Sequence, residues 1–169
     1  KKNIVVLGMG GTISSTIGES GYKPGQSSHD FISLVPQLLE VYDIETKELM
    51  ALDSSNLQPH HWCEVAEKIY FEVSRRDVDG VVIAHGTDTM NYTASAIAFM
   101  IQQLGKPIVF TGSQIPFSVL GSDGRKNIID AIRVAADADI AEVVIVFDSK
   151  IHRAVRTVKL REYDLNAFE

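Results

Sequence analysis

Five short stretches of the chain are almost continuously apolar, and the longer segments between them repeat their apolar residues every three or four positions. The short runs are NIVVLG (3–8), KELMAL (47–52), GVVIAH (80–85), PIVFTG (107–112) and EVVIVFD (142–148). A strand covered by helices on both faces has no solvent side, so it reads as an unbroken apolar run, and these five are predicted strands. The segments 59–76, 90–105 and 122–137 carry the helical spacing. Pro59 suits a first helical turn, Ser122 an N-cap, and Gly105-Lys106-Pro107 a stop. Residues 27–42 read as two short helical pieces split by Pro36, and 15–28, rich in Gly and Ser, as a long mobile loop. Strand and helix alternate throughout, which predicts an α/β fold: a doubly wound, mostly parallel sheet with helices on both faces. With no internal repeat, low-complexity tract or linker, residues 1–169 are expected to form a single domain.

Composition narrows the ligand. The net charge is −6, from 16 basic and 22 acidic residues with no concentration of Lys and Arg, which argues against nucleic acid as a partner. Residues 150–161 hold five positive charges and read as a solvated edge. No apolar run approaches the length of a membrane span or a signal-peptide core, so no membrane partner is expected and a cytoplasmic location is. The one cysteine, Cys63, has no partner for an internal disulfide and reads as a small core residue on a helix. No Cys or His lies at metal-ligand spacing, so no metal is expected.

In open α/β sheets ligands sit beyond the carboxyl ends of the strands. Gly8-Met9-Gly10-Gly11-Thr12 follows the first predicted strand, His85-Gly86-Thr87-Asp88-Thr89 the third, and Thr111-Gly112-Ser113-Gln114 the fourth. A dinucleotide fingerprint needs glycine where Ile13 stands, and the Gly-Lys-Ser/Thr of a P-loop is missing. What remains is glycine permitting close backbone approach, with a threonine hydroxyl brought to the same end of the sheet twice, which points to covalent catalysis. A threonine needs a base and an oxyanion hole, and Asp88 needs a cationic partner if it is buried. The competing reading makes Thr87 and Asp88 helix caps. Ser113 and Gln114 either line a pocket or turn the chain, His85 orients its loop, His60-His61 are solvated, and Trp62, Tyr70 and Phe71 fit the core face of helix 59–76.

GGTI (10–13) and HGTDTM (85–90) resemble the two signatures of the L-asparaginase family. DSSNLQPHHW (53–62), GKPIVFTGSQIP (105–116) and SDGRKN (122–127) are similar to the intervening segments of its bacterial cytosolic type I branch. The resemblance implies a homo-oligomeric amidohydrolase that converts L-asparagine and water to L-aspartate and ammonia without metal or organic cofactor. Carried over by position, Thr12 takes the nucleophile's place and Tyr22 that of a tyrosine closing over the substrate. Thr87 and Asp88 match the second threonine and its aspartate, and Lys159 their lysine, with Lys126 the rival. Ser54 and Ser55 match the turn that holds the substrate carboxylate, Asp88 also faces the ammonium, and Asp53 reads as structural.

Family members are about twice this long and carry a smaller C-terminal domain, which the resemblance places against a neighbouring subunit's site. The expectation is that this domain is absent from the 169 residues, and that the chain alone folds but hydrolyses poorly, because a one-walled site is too wet. Two other classes stay in view: an ammonia-supplying component of a tRNA-dependent amidotransferase, and a non-catalytic amino-acid-binding module.

Overall fold

The computed structural model describes residues 1–9, 15–18, 21–24, 32–33, 35–50 and 54–169, of which 15–18, 21–24 and 54 are described by their backbone. Its strands are β1 Asn3–Gly8, β2 Ser15–Gly18, β3 Gly21–Pro24, β4 Asp43–Glu48, β5 Gly80–Ala84, β6 Ile108–Thr111, β7 Val143–Phe147 and β8 Lys150–Arg153. The helices are α1 Gln37–Val41, α2 Pro59–Val73, α3 Met90–Met100 and α4 Gly124–Asp137. Among the described residues the main sheet has the order β4-β1-β5-β6-β7-β8, parallel except for β8, which runs antiparallel to β7.

Strand alternation divides the core in two. Val5, Leu7, Val81, Ile83, Ile108 and Phe110 face α2 (Val65, Ile69, Val73) and α3 (Met90, Ala94, Ile97). Ile4, Val6, Val82, Val109 and Val144 face Leu38 of α1 and Ile128, Ala131, Ile132 and Ala135 of α4. Each central strand is therefore buried on both sides, and the expected α/β architecture with helices on both faces is the one observed.

Several local expectations are corrected. The second strand is Asp43–Glu48 rather than 47–52: β4 is an edge strand, its residues intermediate or exposed, so it needs no apolar run. Residues 15–28 are not simply a loop, since Ser15–Gly18 and Gly21–Pro24 pair antiparallel, the β-branched Thr16 and Ile17 outweighing the glycines as a signal. Asp123, not Ser122, caps α4, while Ser122 Oγ accepts from Gly124 N. Helix α3 ends at Met100, short of the predicted stop at Gly105. Tyr70 and Phe71 are 60% and 67% exposed and Cys63 is exposed, because the i, i+4, i+8 stripe of Val65, Ile69 and Val73 points their positions outward. His61 is not merely solvated: its Nδ1 accepts from Gln58 N at the start of α2. Pro36 directly precedes α1, as its fixed φ allows.

Candidate functional site

Strand order positions the site. From β1 the chain passes to β4 on one side and then to β5 on the other, so the direction of winding reverses between β1 and β5. The crevice beyond the carboxyl ends of those two strands is where such sheets bind ligands. Gly8 and Ala84 end them side by side, and Met9 N donates to Ala84 O at 2.9 Å. The two threonine-bearing segments, Gly10-Gly11-Thr12 and His85-Gly86-Thr87-Asp88, leave from this point in the sequence.

Thr87 and Asp88 do not cap a helix. Thr89 holds the cap position of α3, and the two residues before it turn their side chains to another partner. Lys159 Nζ donates to Thr87 Oγ1 at 2.9 Å and to Asp88 Oδ1 at 2.7 Å, while Ser55 Oγ donates to Asp88 Oδ2 at 3.3 Å. Asp88 has the cationic partner expected of it, but it is not itself buried. Its side chain is 59% exposed and that of Lys159 only 12%, so the lysine is the desolvated charge and the carboxylate its solvated partner. Lys126 is elsewhere, bonded to Asp130 and Ser149 on the α4 side.

The segment that delivers Lys159 folds back on itself. Val158 and Glu169 exchange backbone hydrogen bonds, Lys159 and Phe168 form a bridge pair, and Ala167 and Phe168 are buried. Phe168 packs edge-on against Phe147 with ring centroids 5.0 Å apart. Sequence reasoning gives Gln114 too little weight. Its Nε2 donates to the carbonyls of Glu162 and Asp164, both at 3.0 Å, which fixes the amide orientation and aims Oε1 at Thr87. Thr87 Oγ1 therefore donates to Gln114 at 2.8 Å and accepts from Lys159, which assigns both roles of that hydroxyl.

His85 is fully buried, and burial lowers its pKa to about 4 against the Gly86 carbonyl's smaller opposing pull. The ring is neutral at pH 7. Since the Gly86 carbonyl can only accept, Nδ1 carries the proton and donates to it at 2.6 Å, leaving Nε2 to accept from Thr93 Oγ1 at 3.0 Å. Trp62 Nε1 donates to the same Thr93 oxygen at 3.2 Å. His85 thus orients the turn ahead of Thr87, as expected, and Trp62 packs half-buried behind it.

A cleft of about 360 Å³ opens beside Asp88 and Lys159, lined also by Asn91, Tyr92 and Leu160. A larger groove of about 450 Å³ along α4 and β8 holds Lys126, Arg133 and Lys150 beside Asp130 and Asp137, without convergent hydroxyls. Of the residues singled out from sequence, Thr87, Asp88, Lys159 and Ser55 meet at one point. Thr12 and Asp53 lie outside the described residues, Tyr22 is described by its backbone, paired with Ile17, and Ser54 by its place in a 3-10 turn.

Residues 3–169 match the family described as "Asparaginase, N-terminal". The chain is 43% identical over 173 residues to L-asparaginase 1 of Escherichia coli K12, covering 99% of this chain and 50% of that protein. It is 36% identical over 176 residues to a glutamyl-tRNA(Gln) amidotransferase component of Methanopyrus kandleri, covering 98% and 38%. The thermostable L-asparaginase of Thermococcus kodakarensis superposes with a TM-score of 0.91 at 36% identity, over 99% of this chain and 50% of that one. The chain spans about half the length, or less, of these relatives. A match over nearly every residue, in sequence and in fold, makes the chain a member of the asparaginase family.

Proposed function

We propose that this chain supplies the catalytic half of an L-asparaginase, which hydrolyses L-asparagine to L-aspartate and ammonia. The observation that carries the reading is a desolvated lysine held on both the Thr87 hydroxyl and the Asp88 carboxylate, at the point where the sheet reverses its winding. Thr12 Oγ1 attacks the side-chain amide carbon, the C–N bond breaks, and ammonia leaves with a proton as an acyl-threonine forms. Water then attacks the acyl carbon, and cleavage of the ester returns Thr12 and releases aspartate. Lys159, Thr87 and Asp88 move the proton between water and leaving group, Lys159 taking it once its own proton has passed on. Asp88 holds the substrate ammonium, Ser54 and Ser55 hold its carboxylate, and Tyr22 closes over it. A C-terminal domain from a neighbouring copy in a homo-oligomer supplies the second wall, and a cytoplasmic location fits the single cysteine.

The test is ammonia release from L-asparagine without tRNA. Lys159→Met is expected to lower kcat at least a hundredfold, and Lys126→Met to change it less than twofold. The reverse ordering contradicts the assignment. Likeness to the amidotransferase component supports a second reading, an ammonia supplier for that reaction; ammonia release that requires tRNA favours it.

A further inference from the structure

Among the described residues no hydrogen bond joins the segment SDGRKN to Thr87, Asp88 or Lys159, yet it is tied to the loop that bonds to Thr87. An aspartate at the cap of a helix ordinarily accepts from the backbone N–H groups of its own first turn. Asp123 caps α4 with no such bond. Its carboxylate turns backward instead and accepts from Gln114 N at 3.1 and 3.0 Å, from Ile115 N at 3.0 Å, and from Asn127 Nδ2 at 3.1 Å. Asn127 is 2% exposed and donates also to Gly112 O at 3.0 Å, while its Oδ1 accepts from Asp148 N at 3.1 Å. Ser122 Oγ donates to Ile115 O at 2.8 Å. The backbone on both sides of Gln114 is thus fastened by three side chains from one helix start.

We propose that Asp123 is a positioning residue that acts on Thr87 through Gln114. Ser122 Oγ already takes the Gly124 N–H of the first turn, which leaves the Asp123 carboxylate for two backbone N–H groups of a neighbouring loop. Gln114 needs that hold because its amide does two tasks with one orientation. Oε1 takes the Thr87 proton, and Nε2 grips the carbonyls of Glu162 and Asp164 in the segment that carries Lys159. A shift of the Gln114 backbone by a fraction of an ångström therefore loosens Thr87 and the Lys159 segment together. Among the described residues no hydrogen bond joins Asp123 to Thr87 or Lys159, and the hydrogen-bonded route from its carboxylate to both runs through Gln114.

The experiment has two arms on the intact protein. Hydrogen exchange of the Gln114 side-chain amide, followed by NMR, needs no substrate: Asp123→Ala is expected to speed it at least tenfold, and Asp123→Asn, which keeps one acceptor oxygen, by less. The kinetic arm rests on the proposed asparagine hydrolysis. There Asp123→Ala lowers kcat at least tenfold with KM within twofold, and adds less than twofold when placed on Gln114→Ala. Exchange unchanged in Asp123→Ala, or losses that multiply in the double variant, overturn the proposal. Absence of asparagine hydrolysis in the unmutated protein counts against the functional reading alone, because the exchange arm still decides this one. Where Asp123→Ala does not fold, the graded response in Asp123→Asn decides: unaltered Gln114 exchange there overturns the proposal.

Discussion

His85 shows how much a single residue's surroundings determine. Its ring is fully enclosed, and burial holds its pKa near 4, well below the ordinary 6.5. The unfolded chain therefore binds the proton more readily than the folded one. The sign follows: the stability linked to His85 is fully present above about pH 6.5 and drains away as pH falls from there towards 4, on the order of 3 kcal/mol across the window. Urea unfolding at pH 7 and pH 4.5 checks this against His85→Gln, which keeps a donor for Gly86 and an acceptor for Thr93 without a titrating ring. The unmutated protein is expected to lose about 2–3 kcal/mol more than the variant, and equal losses contradict the account. The place of this histidine at a strand tip is enough to read it as orienting its loop, and resemblance brings Thr87, Asp88 and Lys159 into one proposal. Gln114 is legible only as a residue that lines a pocket or turns the chain, because a glutamine's use depends on which carbonyls lie across from it, and those belong to residues about 50 positions away.

At the scale of elements, legibility follows burial. Strands β1, β5, β6 and β7 are enclosed by helices on both faces, and there the apolar run and the strand coincide. Edge strands obey a weaker rule, so β4 lies four residues ahead of its predicted place, and the exposed Lys150–Arg153 strand carries only the mark of a solvated edge. Helix α2 is legible from its spacing, but Tyr70 and Phe71 point outward because the aliphatic stripe already fills the inner face. The closing segment is the least legible. Nothing in LNAFE marks Phe168 as an anchor until its ring is seen against Phe147 and its backbone paired with Lys159. Phe168 is 3% exposed, so Phe168→Ala is expected to cost about 3–5 kcal/mol and to lower asparagine turnover with it. Leu165→Ala, at a position 43% exposed in the same segment, is expected to stay within about 0.5 kcal/mol. Denaturant midpoints of the two variants decide, and a Phe168→Ala cost below about 1 kcal/mol contradicts the anchoring role.

For the whole molecule, the order β4-β1-β5-β6-β7 gathers the chemistry at one end of the sheet. Two helical layers bury the central strands, and residues more than 70 positions apart, Thr87 and Lys159, meet beyond the carboxyl end of β5. Family membership and fold are established over the length of the chain, while the reaction rests on the proposal that Thr12, following Gly10-Gly11, attacks the substrate beside this cluster. The direct test is ammonia release from L-asparagine by the intact protein carrying Thr12→Ala, with aspartate binding followed by calorimetry on the same sample. The account predicts a turnover loss on the order of 10³-fold or more with aspartate still bound, because the groups that hold substrate and the group that attacks it are different residues. A variant that keeps a tenth of the original turnover contradicts it.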